Sequence, residues 1–161
     1  MSFKVNIVGL GYVGLPLFLR CAEVGIDVIG VDSNDEVIAG IKNKETPLSA
    51  DPFVAERLAL PELPLSNQPS TADIHVICVP TPVRKRGEPD LSFIIRATEA
   101  IADVVSDGDV VVVESTVYPG VCRDLVKPIL VRTGKNVGIA HCPERINPGD
   151  KRWHVANIPR V

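Results

Sequence analysis

Short runs of β-branched residues alternate along this chain with longer stretches whose apolar residues recur at helical spacing, and this alternation restricts the fold more than any other feature. The pattern predicts strands over 3–8, 27–31, 74–79, 109–113 and 137–140. Between them it predicts a helix over 13–24, stopped by Gly25, and one from a cap at Ser33 or Asn34 to about 42, with Asp35 and Glu36 in its first turn. Two more helices are expected, one opened by Asp90 or Ser92 and running to about 105, the other over 120–132. Strands that are apolar throughout, each followed by a helix, belong in a parallel sheet covered on both faces. The fold class is therefore α/β, doubly wound, with about six strands. The stretch 47–69 holds five of the fourteen prolines, so only a short helix near 53–60 and a brief strand at 63–66 are expected there. The third βα unit is abbreviated.

A length of 161 residues suits one domain. Hydrophobic residues at 45% and charged residues at 23% can close a single core. The formal charge of -3 argues against nucleic acid as a partner, because affinity for it rests on a basic face. No apolar run approaches the roughly 18–20 residues needed to cross a bilayer, and 5–10 is too short and glycine-rich for a signal peptide. A cytoplasmic location without a membrane partner is the expectation. Cys21, Cys78, Cys122 and Cys142 form no CxxC pair, so they read as reduced thiols.

The segment Gly9-Leu10-Gly11-Tyr12-Val13-Gly14 is a GxGxxG that follows the first strand and opens the first helix, with Asp32 ending the next strand about twenty residues on. That context is the dinucleotide fingerprint of a Rossmann-type sheet. Gly9 allows the sharp turn, Gly11 removes a side chain where the diphosphate approaches, and Gly14 lets the helix pack against the strand. The helix start, at Tyr12 and Val13, offers free N–H groups to the phosphates. Asp32 can accept hydrogen bonds from the adenosine ribose, and its charge repels a 2′-phosphate. Ser33-Asn34-Asp35-Glu36 adds no cation to neutralise one. NAD is favoured over NADP. Asp32 as a helix N-cap is the plainer reading, compatible with ribose contact.

Three more segments sit at carboxyl ends of predicted strands: Val79-Pro80-Thr81-Pro82, Glu114-Ser115-Thr116-Val117-Tyr118-Pro119-Gly120, and Cys142-Pro143-Glu144-Arg145-Ile146-Asn147-Pro148-Gly149-Asp150. With Gly-Leu-Gly-Tyr-Val-Gly-Leu-Pro at 9–16 and Pro89-Asp90-Leu91-Ser92, the chain resembles the nucleotide-sugar 6-dehydrogenases, the UDP-glucose/GDP-mannose dehydrogenase family. Within it the similarity is greatest to the branch acting on UDP-N-acetylmannosamine or UDP-N-acetylglucosamine. The resemblance implies an oxidoreductase that takes a sugar C6 alcohol to a carboxylate with two NAD, through a cysteine thioester, for polysaccharide or capsule biosynthesis. It implies that Val79, Pro80 and Thr81 line the nicotinamide side of the groove and that Ser115 and Thr116 sit at the reacting centre, Thr116 positioning a water or the substrate oxygen. Glu144 would assist the water that hydrolyses the thioester, and Arg145, Ile146 and Asn147 would touch the sugar through their backbone. For Thr116 a helix N-cap, and for Glu144 a surface pair with Arg145, are the alternatives.

The family's nucleophilic cysteine, in a glycine-rich motif, is not found here, and Cys142 reads as packing. The chain is thus expected to be the dinucleotide-binding domain, 1–161, of a longer enzyme, binding NAD without completing the oxidation. The sugar-nucleotide domain and the central helical domain, through which a homodimer would form, are expected beyond it. A stand-alone dinucleotide sensor and a β-hydroxyacid-type dehydrogenase are the competing readings. His75 reads as a core histidine. His141 and His154 lack a carboxylate at ligand spacing, so no metal is expected. Arg84-Lys85-Arg86-Gly87 reads as a solvated loop.

Overall fold

The structure, a computed structural model, describes residues 3–85, 87–145 and 155–158. Arg86, Ile146, Asn147, Trp153 and His154 lie outside the described residues, and so do the expectations placed on them.

Six strands form one sheet: β1 (Lys4–Val8), β2 (Asp27–Val31), β3 (Leu65–Ser66), β4 (Ile74–Ile77), β5 (Val110–Val113) and β6 (Gly138–His141). All neighbours are parallel and the order is β3-β2-β1-β4-β5-β6. The winding reverses between β1 and β4, which opens a crevice above their carboxyl ends. Helices α1 (Gly14–Glu23), α2 (Asp35–Lys42) and α3 (Pro52–Arg57) close one core around Phe18, Leu19, Ile41 and Val54. Helix α4 (Ser92–Ala102), a π-helical segment (Cys122–Val126) and α5 (Lys127–Val131) close a second around Ile94, Ile101, Val126 and Leu130. Each such fully buried side chain contributes about 1.5–3 kcal/mol relative to exposure.

The elements differ from expectation where local chemistry decides the ends. Asn34 caps α2, its side chain accepting from Glu36 N–H at 2.9 Å, so Asp32 is not that cap. Leu91, not Asp90 or Ser92, occupies the cap position of α4; Asp90 instead accepts from Ser92 N–H and from the Arg84 guanidinium, both at 3.0 Å. The expected helix over 120–132 divides into the π-helical segment and α5. Pro128 explains the division, since it has no N–H and its ring clashes with the carbonyl four residues back, so the wider π turn absorbs the fault. Thr116 therefore caps no helix, Val121 standing at the cap position.

Buried Val54 and Leu58 anchor the abbreviated third unit in the core, and an ion pair clamps it to α1 at the surface. Asp51 caps α3, and Arg57 in its last turn grips Glu23 of α1 through two hydrogen bonds of 2.9 and 2.8 Å while lying over the Phe53 ring. The pair lowers the Glu23 pKa and raises that of Arg57.

His75 is fully buried on β4. Its Nδ1 lies 3.1 Å from the Asn6 side-chain amide, which donates, and this puts the ring proton on Nε2. Nε2 stands 3.9 Å from Asp109, too far for a hydrogen bond. Burial pushes the imidazole pKa down, and Asp109 opposes only part of that. The unfolded chain, with a histidine near about 6.5, then binds more protons than the folded one. His75 thus supports the fold above that value and ceases to do so as pH falls through it. The urea midpoint is expected to drop between pH 7 and pH 5, and to drop less in His75→Gln; parallel profiles for the two proteins would contradict this role.

Candidate functional site

The turn joining β1 to α1 is shaped by what it must avoid. Gly9 has φ +95, and a Cβ there would stand 2.9 Å from the Cys78 backbone just past β4. Gly14 opens α1 against the Gly9 carbonyl and the Cys78 side chain, leaving no room for a Cβ. Its close approach is thus to the turn and the end of β4. Gly11 differs from both: a Cβ there would meet nothing within 4 Å. The open space above Gly11 is the crevice, a cavity of about 540 Å³.

Helix α1 starts without a side-chain cap, Val13 holding the cap position, and has no acid in its first turn. Leu15 N–H already donates to the Gly11 carbonyl at 3.0 Å and Pro16 has no N–H, so the amides left without an acceptor among the described residues are those of Tyr12, Val13 and Gly14, at the positive end of the helix dipole. An anion in the crevice can satisfy both.

Asp32, at the end of β2, is fixed by two backbone amides. One carboxylate oxygen accepts from Leu10 N–H and the other from Asn34 N–H, each at 2.9 Å. The acid is thereby tied to both the glycine turn and the start of α2. A carboxylate has about four acceptor sites, so capacity remains for hydroxyl donors.

Of the residues expected to contact a cofactor, Gly9, Gly11, Asp32, Val79 and Pro80 line the crevice. Val13 and Gly14 sit behind its rim in the helix start. Tyr12 lines a second hollow of about 310 Å³, between the turn and α2. Sequence reasoning missed the far wall, where Phe93, Arg96, Ala97 and Ala100 of α4 face Asn67, Gln68 and Pro69. The signal was present, since 93, 96, 97 and 100 share one helical face.

The remaining candidates are joined across the tips of β4, β5 and β6. Ser115 is buried, and its hydroxyl donates to the Val79 carbonyl at 2.7 Å. The Thr81 hydroxyl donates to the Thr116 carbonyl at 2.8 Å, leaving the exposed Thr116 side chain at the surface of the loop. Glu144 N–H bonds the Glu114 carbonyl at 3.4 Å, and its carboxylate accepts from Arg145 N–H at 2.6 Å. Glu144 is therefore anchored two residues from Thr116. Beneath them the Cys78 thiol donates to the buried Glu114 carboxylate at 3.6 Å. Cys21, Cys78, Cys122 and Cys142 are all free thiols, and burial raises the pKa of Cys122.

Comparison with known proteins agrees with this geometry. UDP-N-acetyl-D-mannosamine dehydrogenase of Methanocaldococcus jannaschii is 36% identical over 98% of this chain and 38% of its own length. UDP-N-acetyl-D-glucosamine 6-dehydrogenase of Salmonella typhi is 36% identical over 98% of this chain and 39% of its own. The solved UDP-N-acetyl-mannosamine dehydrogenase Cap5O from Staphylococcus aureus superposes with a TM-score of 0.78 at 35% identity, covering 91% of this chain and 38% of that one. The chain thus spans about two fifths of the length of the curated relatives it matches. Residues 3–161 match the NAD binding domain of the UDP-glucose/GDP-mannose dehydrogenase family, and to that family this chain belongs.

Proposed function

We propose that this chain is the cofactor-holding part of an enzyme that oxidises the C6 alcohol of a UDP-N-acetylhexosamine to a uronic acid, a product suited to polysaccharide or capsule assembly. Support for the substrate class comes from the relatives named for UDP-N-acetylmannosamine and UDP-N-acetylglucosamine. The observation carrying the cofactor side is that the glycine turn leading into the uncapped start of α1 lines the same crevice as Asp32.

NAD, when bound, supplies a hydride acceptor. The amides of the glycine turn and helix start, residues 11–14, hold its diphosphate, and the space left by Gly11 admits it. Asp32, already preorganised by Leu10 and Asn34, accepts from the ribose hydroxyls next to adenine. A 2′-phosphate would bring a second anion against that carboxylate, which favours NAD. Val79, Pro80 and Thr81 border the nicotinamide half. In this reading Ser115 orders the β4 and β5 tips, and the Thr116 hydroxyl orients a water or the substrate oxygen. Glu144 acts as general base toward that water, as its place beside the β5 loop allows. Arg145, with Ile146 and Asn147, would meet the sugar; the nucleophile and the rest of the sugar site would come from segments outside this chain.

Calorimetric titration of the chain is expected to give heat with NAD, much weaker heat with NADP, and little or none with a UDP-sugar. Asp32→Asn should weaken NAD roughly tenfold, as loss of a charge-assisted hydrogen bond does. Equal affinity for NAD and NADP in the unaltered chain would remove the role given to Asp32.

The glycines make a second, sharper contrast. Gly11→Val is expected to keep the melting temperature of the parent and weaken NAD binding, because a Cβ there meets no protein atom within 4 Å and Gly11 lines the crevice. Gly9→Ala should lower the melting temperature itself, since it strains a positive φ and crowds Cys78. Normal NAD binding by Gly11→Val would place the diphosphate elsewhere.

A further inference from the structure

Beyond Asp32 the crevice is bounded by β2, by residues 67–69 following β3, and by one face of α4. Arg96 is the only cation among the described residues lining it, and Asp32 the only acid. Ion pairing does not explain Arg96. It is exposed and has neither a salt bridge nor a hydrogen bond among the described residues, and its one recorded partner is the Phe93 ring, 4.7 Å from the guanidinium carbon. Ala97 and Ala100 of the same helix and Pro69 line the crevice with Arg96. Small or flat apolar walls with a planar cation among them fit a flat, neutral π system. They offer no paired cations for a phosphate.

The polarity of the crevice fixes which part of a dinucleotide arrives there. With the diphosphate at the glycine turn and the ribose on Asp32 at the tip of β2, the base continues into the part of the crevice lined by residues 67–69 and α4. We propose that Arg96 stacks its guanidinium on the purine of the bound dinucleotide, forming with Phe93 a layered clamp at the base end of the crevice. The inference rests on the dinucleotide site described above and assigns it a residue that the glycine motif and Asp32 do not supply. A guanidinium suits this task better than an ammonium because it is planar, weakly hydrated and able to stack while its edge N–H groups stay in water. It makes affinity for the adenine half depend on α4, an element otherwise devoted to the core.

The test compares the unaltered chain with Arg96→Ala and Arg96→Lys, using NAD, NADP, adenosine and nicotinamide mononucleotide as separate probes. Arg96→Ala is expected to weaken NAD and adenosine by the same factor, about 3- to 30-fold, the range of a cation–π contact. It should leave nicotinamide mononucleotide and the melting temperature unchanged and keep the NAD-to-NADP ratio constant. Arg96→Lys, which restores charge without the plane, should recover only part of the loss. Unchanged NAD affinity in Arg96→Ala would overturn the proposal. So would an equal loss for nicotinamide mononucleotide, which would assign Arg96 to a phosphate, or a loss confined to NADP, which would assign it to the 2′-phosphate. An unaltered chain that binds none of the four probes would overturn the site itself, before any variant is compared.

Discussion

The glycine turn after β1 is wedged against the backbone of Cys78, and the rest of the site depends on that contact. Because Gly9 and Gly14 carry no side chains, α1 can begin directly above the ends of β1 and β4, where the winding reverses. The helix then starts beside the crevice with no side-chain cap. A side chain at either glycine would push the helix away from β4, and its start would leave that position. Asp32 locks the arrangement from the other side by accepting from Leu10 within the turn and from Asn34 at the start of α2. One acid thus ties together the glycine turn and the start of α2, two segments that line the crevice. Preorganisation of this kind lowers the ordering cost of binding.

The second half of the site is built by hydrogen bonds among strand tips rather than by packing. Ser115 to Val79, Thr81 to Thr116 and Glu144 to Glu114 join three consecutive tips into one surface. A loop held this way by polar contacts can present Thr116 outward while burying Glu114 and Ser115 beneath it. The Cys78–Glu114 hydrogen bond extends the network down to the residue against which Gly9 turns. The glycine turn and the tips of β5 and β6 therefore share one structural support.

Much of this was legible in the sequence because each feature had a local cause. The all-apolar strands, the GxGxxG between a strand and a helix, and an acid about twenty residues on have few physical uses other than this one. The short third unit followed from its prolines. What escaped had causes that are not local. Asp32 also offered a cap for α2, and the structure separates the roles: Asn34 is the cap, while Asp32 accepts from Leu10 and Asn34 N–H. The break at Pro128 was readable in principle, but the apolar spacing of 120–132 concealed it. Arg96 drew no notice because a lone arginine in an amphipathic helix is ordinary; it gains meaning once α4 is folded across the base end of the crevice.

The most direct measurement is an amide ¹⁵N–¹H titration of the chain with NAD. The largest shifts should fall on Gly11, Tyr12 and Val13, whose N–H groups meet the diphosphate, with Leu10 and Asn34 following as Asp32 takes up the ribose. Saturable shifts that leave residues 11–13 unmoved and gather elsewhere on the molecule would contradict the account.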